Sequence, residues 1–173
     1  VLKQENGGMP LSLAVLGTTS FSYMRKLSDL TQVGCFPLVS HRMAYSAQLN
    51  IARKFGNRVS LSLMPTVVHR NLVKPTDVNT LFAIGVGARF SVTSSFSILL
   101  EYYHALHQSD IRTLKKNGLG IGFEFVTHGH SFIVNLTNSR GFGETQFISD
   151  TEGDWLEGQF RLGFSITRSF IKH

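Results

Sequence analysis

Cysteine is almost missing from this chain. Cys35 stands alone among 173 residues, so neither an internal disulfide nor a thiolate metal cluster is available. No apolar run approaches the length that a membrane-spanning helix needs. That absence excludes helices only, because the strands of a membrane barrel hide their hydrophobicity in alternation. No signal peptide precedes Val1, which reads as a mature chain or a piece of a longer one. Motifs are missing too. There is no Cys-x-x-Cys-His, Gly-x-Ser-x-Gly, His-Glu-x-x-His or phosphate-binding loop, which removes covalent haem attachment and the common hydrolase, metalloprotease and nucleotide signatures. Gly85-Val86-Gly87 is no dinucleotide fingerprint, since no helix follows it. Proline is scarce, whereas glycine (16) and phenylalanine (14) are plentiful, a mixture that suits strands. The formal net charge is +6, but Lys and Arg are scattered rather than gathered in a stripe, so no nucleic acid is expected as a partner.

The stretch Asn79–Leu106 carries the clearest pattern. Phe82, Ile84, Val86, Ala88, Phe90 and Val92 fall on one side. Ala83, Gly85, Gly87, Arg89 and Ser91 fall on the other. After Thr93-Ser94-Ser95, Phe96, Ile98, Leu100 and Tyr102 resume the apolar side, opposite Ser97, Leu99, Glu101 and Tyr103. Period two over two arms is a β-hairpin, and arms of about 10 residues match a tilted strand crossing a bilayer.

The same reading extends along the chain. Residues 1–9 read as a tail or strand end. Strands are expected over Pro10–Tyr23, Arg42–Arg53, Arg58 to about Asn71, the two arms above, Asn117–Val126, Ser131–Asn138 and Gly158–Phe170. Pro65 inside the third strand predicts a bulge or an interrupted ladder. Connections alternate long, short, medium, short, long, short, long. The longest runs from Ser139 to Glu157 and holds Trp155, the only tryptophan. An even strand count with that rhythm is the signature of an all-β, antiparallel, up-and-down transmembrane β-barrel, here with eight visible strands forming a single domain over residues 1–173. Short turns and both termini are then expected on the periplasmic side of a Gram-negative outer membrane, with outer-membrane lipid as the surrounding partner.

The inner faces gather Arg42, Arg70, Arg89, Glu101, Glu124 and Arg161. A narrow barrel has room inside only for side chains, and buried charges must pair. An interior charge plug is therefore expected, with Arg89 and Glu101 as diagonal neighbours strongly coupled. The alternative is a narrow channel preferring anions, since arginines outnumber glutamates. On the outward faces, Tyr45, Phe82, Phe90, Phe96, Tyr102, Phe125 and Phe160 flank an aliphatic middle and read as girdles at the lipid interface. A second alternative, a soluble lipocalin-like barrel binding an apolar ligand, would put those residues inward. The histidine pairs His104/His107 and His128/His130 fall at opposite barrel ends, so no metal site is expected, and no cofactor. An inward Gly85→Ser change is expected to cost less than an outward Ile84→Arg.

Several runs carry a resemblance: Ile51-Ala52-Arg53-Lys54-Phe55, Leu63-Met64-Pro65-Thr66-Val67-Val68-His69-Arg70-Asn71-Leu72-Val73, Leu136-Thr137-Asn138-Ser139, Gln146-Phe147-Ile148 and Gly163-Phe164-Ser165-Ile166-Thr167-Arg168. From about Ala44 to Phe170 the chain resembles a Bacteroidetes family of outer-membrane β-barrel proteins of unknown function. The resemblance implies an outer-membrane location and no established enzyme activity. It also implies a longer barrel of about twelve strands, of which these are the last eight. The expected role is a non-enzymatic structural or accessory subunit of an envelope assembly, with other envelope proteins as partners.

Overall fold

The computed structural model describes residues 2–5, 8–29, 32–74, 77–106, 115–141 and 143–168. The alternating segments form one antiparallel sheet whose eight strands follow sequence order. They are β1 (Ser12–Phe21), β2 (Met43–Phe55), β3 (Val59–Arg70), β4 (Thr80–Ser91), β5 (Phe96–Ala105), β6 (Gly118–Thr127), β7 (His130–Thr137) and β8 (Arg161–Arg168). The expected boundaries hold within two residues from β1 to β7. The last strand begins later than expected, because the amide of Gln159 bonds the carbonyl of Asp154 and keeps that segment in a turn. Expectations placed on Val1, Pro75, His107 and Phe170 lie outside the described residues.

Turn chemistry explains the short connections. Gly56 (φ 59°) closes β2 onto β3 and Gly129 (φ 82°) closes β6 onto β7, both in the left-handed region that an L side chain resists. Between β4 and β5, Thr93 Oγ1 accepts the amides of Ser95 and Phe96 and so replaces ladder bonds.

Pro65 makes no bulge. Ile51 faces Leu63 before it and Gln48 faces Thr66 after it, which is one unshifted register with only the intervening pairs missing. On its other side the β3–β4 ladder runs through Pro65 and Ile84 without a break. The missing N–H of proline therefore interrupts one ladder without shifting its register.

Among the described residues β1 pairs with β2 and, by a single bridge from Leu13, with Leu2, while β8 pairs only with β7; the first and last strands do not meet, and the sheet is a curled half-barrel. Outward residues such as Val15, Leu61, Phe82, Val86 and Leu162 are exposed apolar groups. The inner face is buried mainly between β2 and β6. Met64, Val68, Leu81, Ala83 and Tyr103 form an apolar cluster there, beside the buried polar side chains of Ser46, Gln48 and Thr66. Among the described residues no helix is long and apolar enough to cross a membrane.

Candidate functional site at the inner face

The apolar inner cluster has an unexpected cover. The connection between β7 and β8 does not stay outside the sheet. It turns inward through a single helical turn, α1 (Glu144–Phe147), which packs on β1, β2 and β3. Ile148 is 2% exposed and completes the cluster of Met64, Val68, Leu81, Ala83 and Tyr103. The Phe147 ring meets Tyr103 edge-on at 5.7 Å between centroids. Two glycines make room for these rings. A Cβ on Gly85 would stand 2.4 Å from Tyr103 Cε1, and one on Gly118 would stand 2.5 Å from Phe147 Cε1. Gly85 on β4 and Gly118 on β6 are thus space reserved for aromatic rings, whereas Gly87 lies against Ser62 and Gly122 against Leu99.

Hydrogen bonds fix the inner segment at both ends. Thr18 Oγ1 donates to Glu144 Oε2 at 3.3 Å, and the Ser20 and Thr145 hydroxyls meet at 2.9 Å, so β1 is tied to α1. Thr151 Oγ1 donates to the Phe147 carbonyl at 2.6 Å, extending the helical turn. Asn138 Nδ2 donates to the carbonyls of Asn117 and Gly153, while its Oδ1 accepts the amide of Leu119. One side chain therefore joins β6, the end of β7 and the returning segment. Tyr103 stands at the centre of this arrangement, its hydroxyl accepting from Gln48 Nε2 at 3.1 Å.

Above the inner segment four charges close a ring. Arg70 bonds Asp77 at 2.7 Å and Asp150 at 2.9 Å, and Lys115 bonds the same two carboxylates at 3.1 and 2.8 Å. Three connections of the loop end meet here: β3–β4 through Asp77, β5–β6 through Lys115 and β7–β8 through Asp150. Burial pushes the Asp77 carboxyl up, but Arg70, the Val78 amide and Lys115 outweigh it and hold the group down at about 2. A second pair, Lys116–Asp154 at 2.9 Å, lies at the surface. There the hydrogen bond from Lys116 lowers the Asp154 carboxyl and raises the ammonium in return.

The six charges expected to form one interior network are dispersed. Arg89 does not pair with Glu101. Its guanidinium crosses β5 to Glu124 at 2.7 Å and bonds Ser97 Oγ on the way, and Ser131 Oγ donates to the same carboxylate. The small Ser91 and Ser97, opposite each other in the ladder, leave that crossing open. The coupling expected of Arg89 and Glu101 therefore belongs to Arg89 and Glu124. Arg42 serves the β1–β2 connection instead: it donates to the carbonyls of Ser22 and Met24 and stacks on Phe36 at 4.5 Å. Arg70 belongs to the loop-end ring. Glu101 and Arg161 line a chamber of about 210 Å³ between the inner segment and β5–β8, together with Arg140 and Glu144.

The seven aromatics expected at the interface all lie on the outward side. Tyr45, Phe82, Tyr102 and Phe160 sit toward the loop end, with Phe160 stacked on Trp155 at 5.8 Å. Phe90, Phe96 and Phe125 sit toward the turns, where Phe96 and Phe125 touch at 4.9 Å. Sequence reasoning missed the inner segment and the loop-end ring. The signal for the former was present: Met64, Val68 and Leu81 are large apolar residues clustered on a face whose other members are mostly small or polar.

An antiparallel up-and-down sheet with an apolar outer band and a polar inner wall carrying its own inserted segment defines a membrane β-barrel. The chain matches, over residues 1–170, the family described as a membrane bound beta barrel domain (DUF5777), and it belongs to that family. The soluble lipocalin-like reading is thereby set aside. No curated protein and no solved structure matches the chain.

Proposed function

We propose that this barrel is a non-enzymatic, non-conducting component of the outer membrane of a Gram-negative envelope, serving as a structural or accessory subunit beside other envelope proteins. The short turns, with the start of β1 and the end of β8, face the periplasm. The long connections face outward. The resemblance to barrels of Bacteroidetes supports this location. The observation that carries the reading is the inner segment 143–151. It occupies the inner face at the loop end, its Ile148 and Phe147 on Tyr103 and its Asp150 clamped by two cations. The plug is thus a piece of the chain rather than the wall charges alone, and solute passage requires that piece to leave.

In planar bilayers the wild-type protein is expected to show no steady conductance. Replacing 143–151 by a glycine–serine segment of equal length should produce discrete conducting steps. A large, constant, anion-selective conductance of the unaltered protein would replace the structural reading by the channel one. Orientation is read separately on whole cells carrying Cys35→Ser. A cysteine at Leu156, which is 97% exposed, should react with an impermeant thiol reagent, and one at Ser94 should not. The opposite labelling pattern would invert the orientation.

A further inference from the structure

On the outward side of β2–β6 the sheet leaves a shallow apolar trough of about 690 Å³. Ile51, Leu63, Val86 and Leu100 form its floor. Arg53 and Phe55 stand at its turn end. Arg53 faces Leu61 in the ladder, Leu61 faces Ala88, and Ala88 faces Leu100, so the guanidinium interrupts an otherwise aliphatic row. A charge facing hydrocarbon is costly unless its side chain reaches the polar layer. Arg53 is placed to do so: it lies at the end of β2, next to the hairpin tip, with its guanidinium carbon 5.1 Å from the centroid of Phe55. Among the described residues it forms no ion pair. Lys54 and Arg58, both exposed, bracket the same Gly56-Asn57 turn. Arg53 alone of these cations lines the trough, and Lys54, which faces Ser60 on the inward side of the ladder, and Arg58 add two more at the same hairpin tip. Glu101, the other charged residue at its border, belongs to the opposite face, beside Tyr103 and Glu144.

We propose that this trough holds one phospholipid with an anionic headgroup, drawn from the leaflet on the side of the short turns. The phosphate sits on the Arg53 guanidinium, whose planar fork of donors suits phosphate oxygens better than a point charge does. Lys54 and Arg58 supply the surrounding positive field, and the acyl chains lie along Ile51, Leu63 and Val86. A second copy of the chain fits poorly as occupant. A two-fold contact through the trough would set each cationic hairpin tip against its equivalent, where like charges repel.

The test uses the full chain reconstituted in vesicles with spin-labelled phosphatidylglycerol or phosphatidylcholine. The wild type should restrict the glycerol lipid with about five-fold preference, the scale of one basic residue at an anionic surface. Arg53→Gln should bring the ratio near unity, and Arg53→Lys should keep part of it. Ala88→Phe, which fills the trough, should shrink the restricted population of both lipids. Lys116→Gln at the other end should change nothing. Folding of each variant is checked by its heat-dependent gel mobility. If Arg53→Gln does not fold, the wild type decides by itself: a preference that vanishes at high salt supports the site. Equal association of the two lipids, a preference untouched by Arg53→Gln or by salt, or a cross-linked dimer covering Ala88 would overturn it.

Discussion

Arg70→Met should lower the unfolding free energy in detergent micelles by about 3 kcal/mol, the lower end of what breaking a buried ion pair costs. The side chains of Arg70 and Asp77 are 14% and 11% exposed, so solvent compensates little when the cation is removed, whereas Asp150 is half exposed and recovers part of its hydration. Lys115 alone would then face two carboxylates. Lys116→Met, which breaks the surface pair with Asp154, should have no measurable effect. The acid limb gives a second reading of the same ring. The folded-state value of Asp77 lies below its unfolded value, so its contribution is complete above about pH 4 and is lost as the pH falls toward 2. Stability between pH 5 and 8 should be flat with respect to this group. A titration of stability centred near neutral pH, or an Arg70→Met protein as stable as the wild type, would show that the ring contributes nothing to holding the connections.

Ile84→Arg and Gly85→Ser are expected to be about equally damaging, for unrelated reasons. Ile84 points outward near the middle of β4, and a guanidinium there meets hydrocarbon at a cost of about 2–4 kcal/mol. Alternation alone makes the neighbouring inward serine benign, and that expectation fails on a single distance. The new Cβ would overlap Tyr103, whose ring is already held by Gln48, Met64 and Phe147, so it cannot move aside freely. Overpacking of this kind costs about 1–3 kcal/mol. The two variants separate in a double-mutant cycle. Tyr103→Ala should relieve Gly85→Ser, giving strong non-additivity, and should leave Ile84→Arg unrelieved. A neutral Gly85→Ser would mean that the ring does not rest on the glycine.

The strands were readable because a period of two leaves no ambiguity once one face meets lipid. Leu61, Leu63 and Val67 on β3, or Phe82, Ile84 and Val86 on β4, fix both the existence of a strand and the direction of its side chains. The register of the hairpins followed from turn length. What alternation cannot report is the depth at which a face is covered. Val68 and Leu81 face each other in the β3–β4 ladder on the inner side, and only something apolar inside the sheet explains them. Gln146-Phe147-Ile148 was visible in the sequence as part of a family-like run, yet a short apolar patch inside a long connection has no periodicity to mark it. Charge partners were the least legible. Arg89 has Glu101 on β5 and Glu124 beyond it on β6 to choose between, and the choice rests on Ser97, a small side chain whose hydroxyl accepts a hydrogen bond from the guanidinium on its way.

Every strand pairs with its neighbour in sequence, so the ladders alone would leave a ribbon free to open and close like a flexing page. The Thr18–Glu144 and Ser20–Thr145 contacts join positions more than a hundred residues apart, and they connect the first strand to the connection before the last. In kinetic terms the hairpins form early, while this join brings together positions far apart in sequence and forms late. Weakening it with Thr145→Val leaves the hairpins intact and loosens the curl. These two contacts thus serve as a clasp, and the curvature of the wall depends on Glu144 and Thr145, which lie outside its ladders.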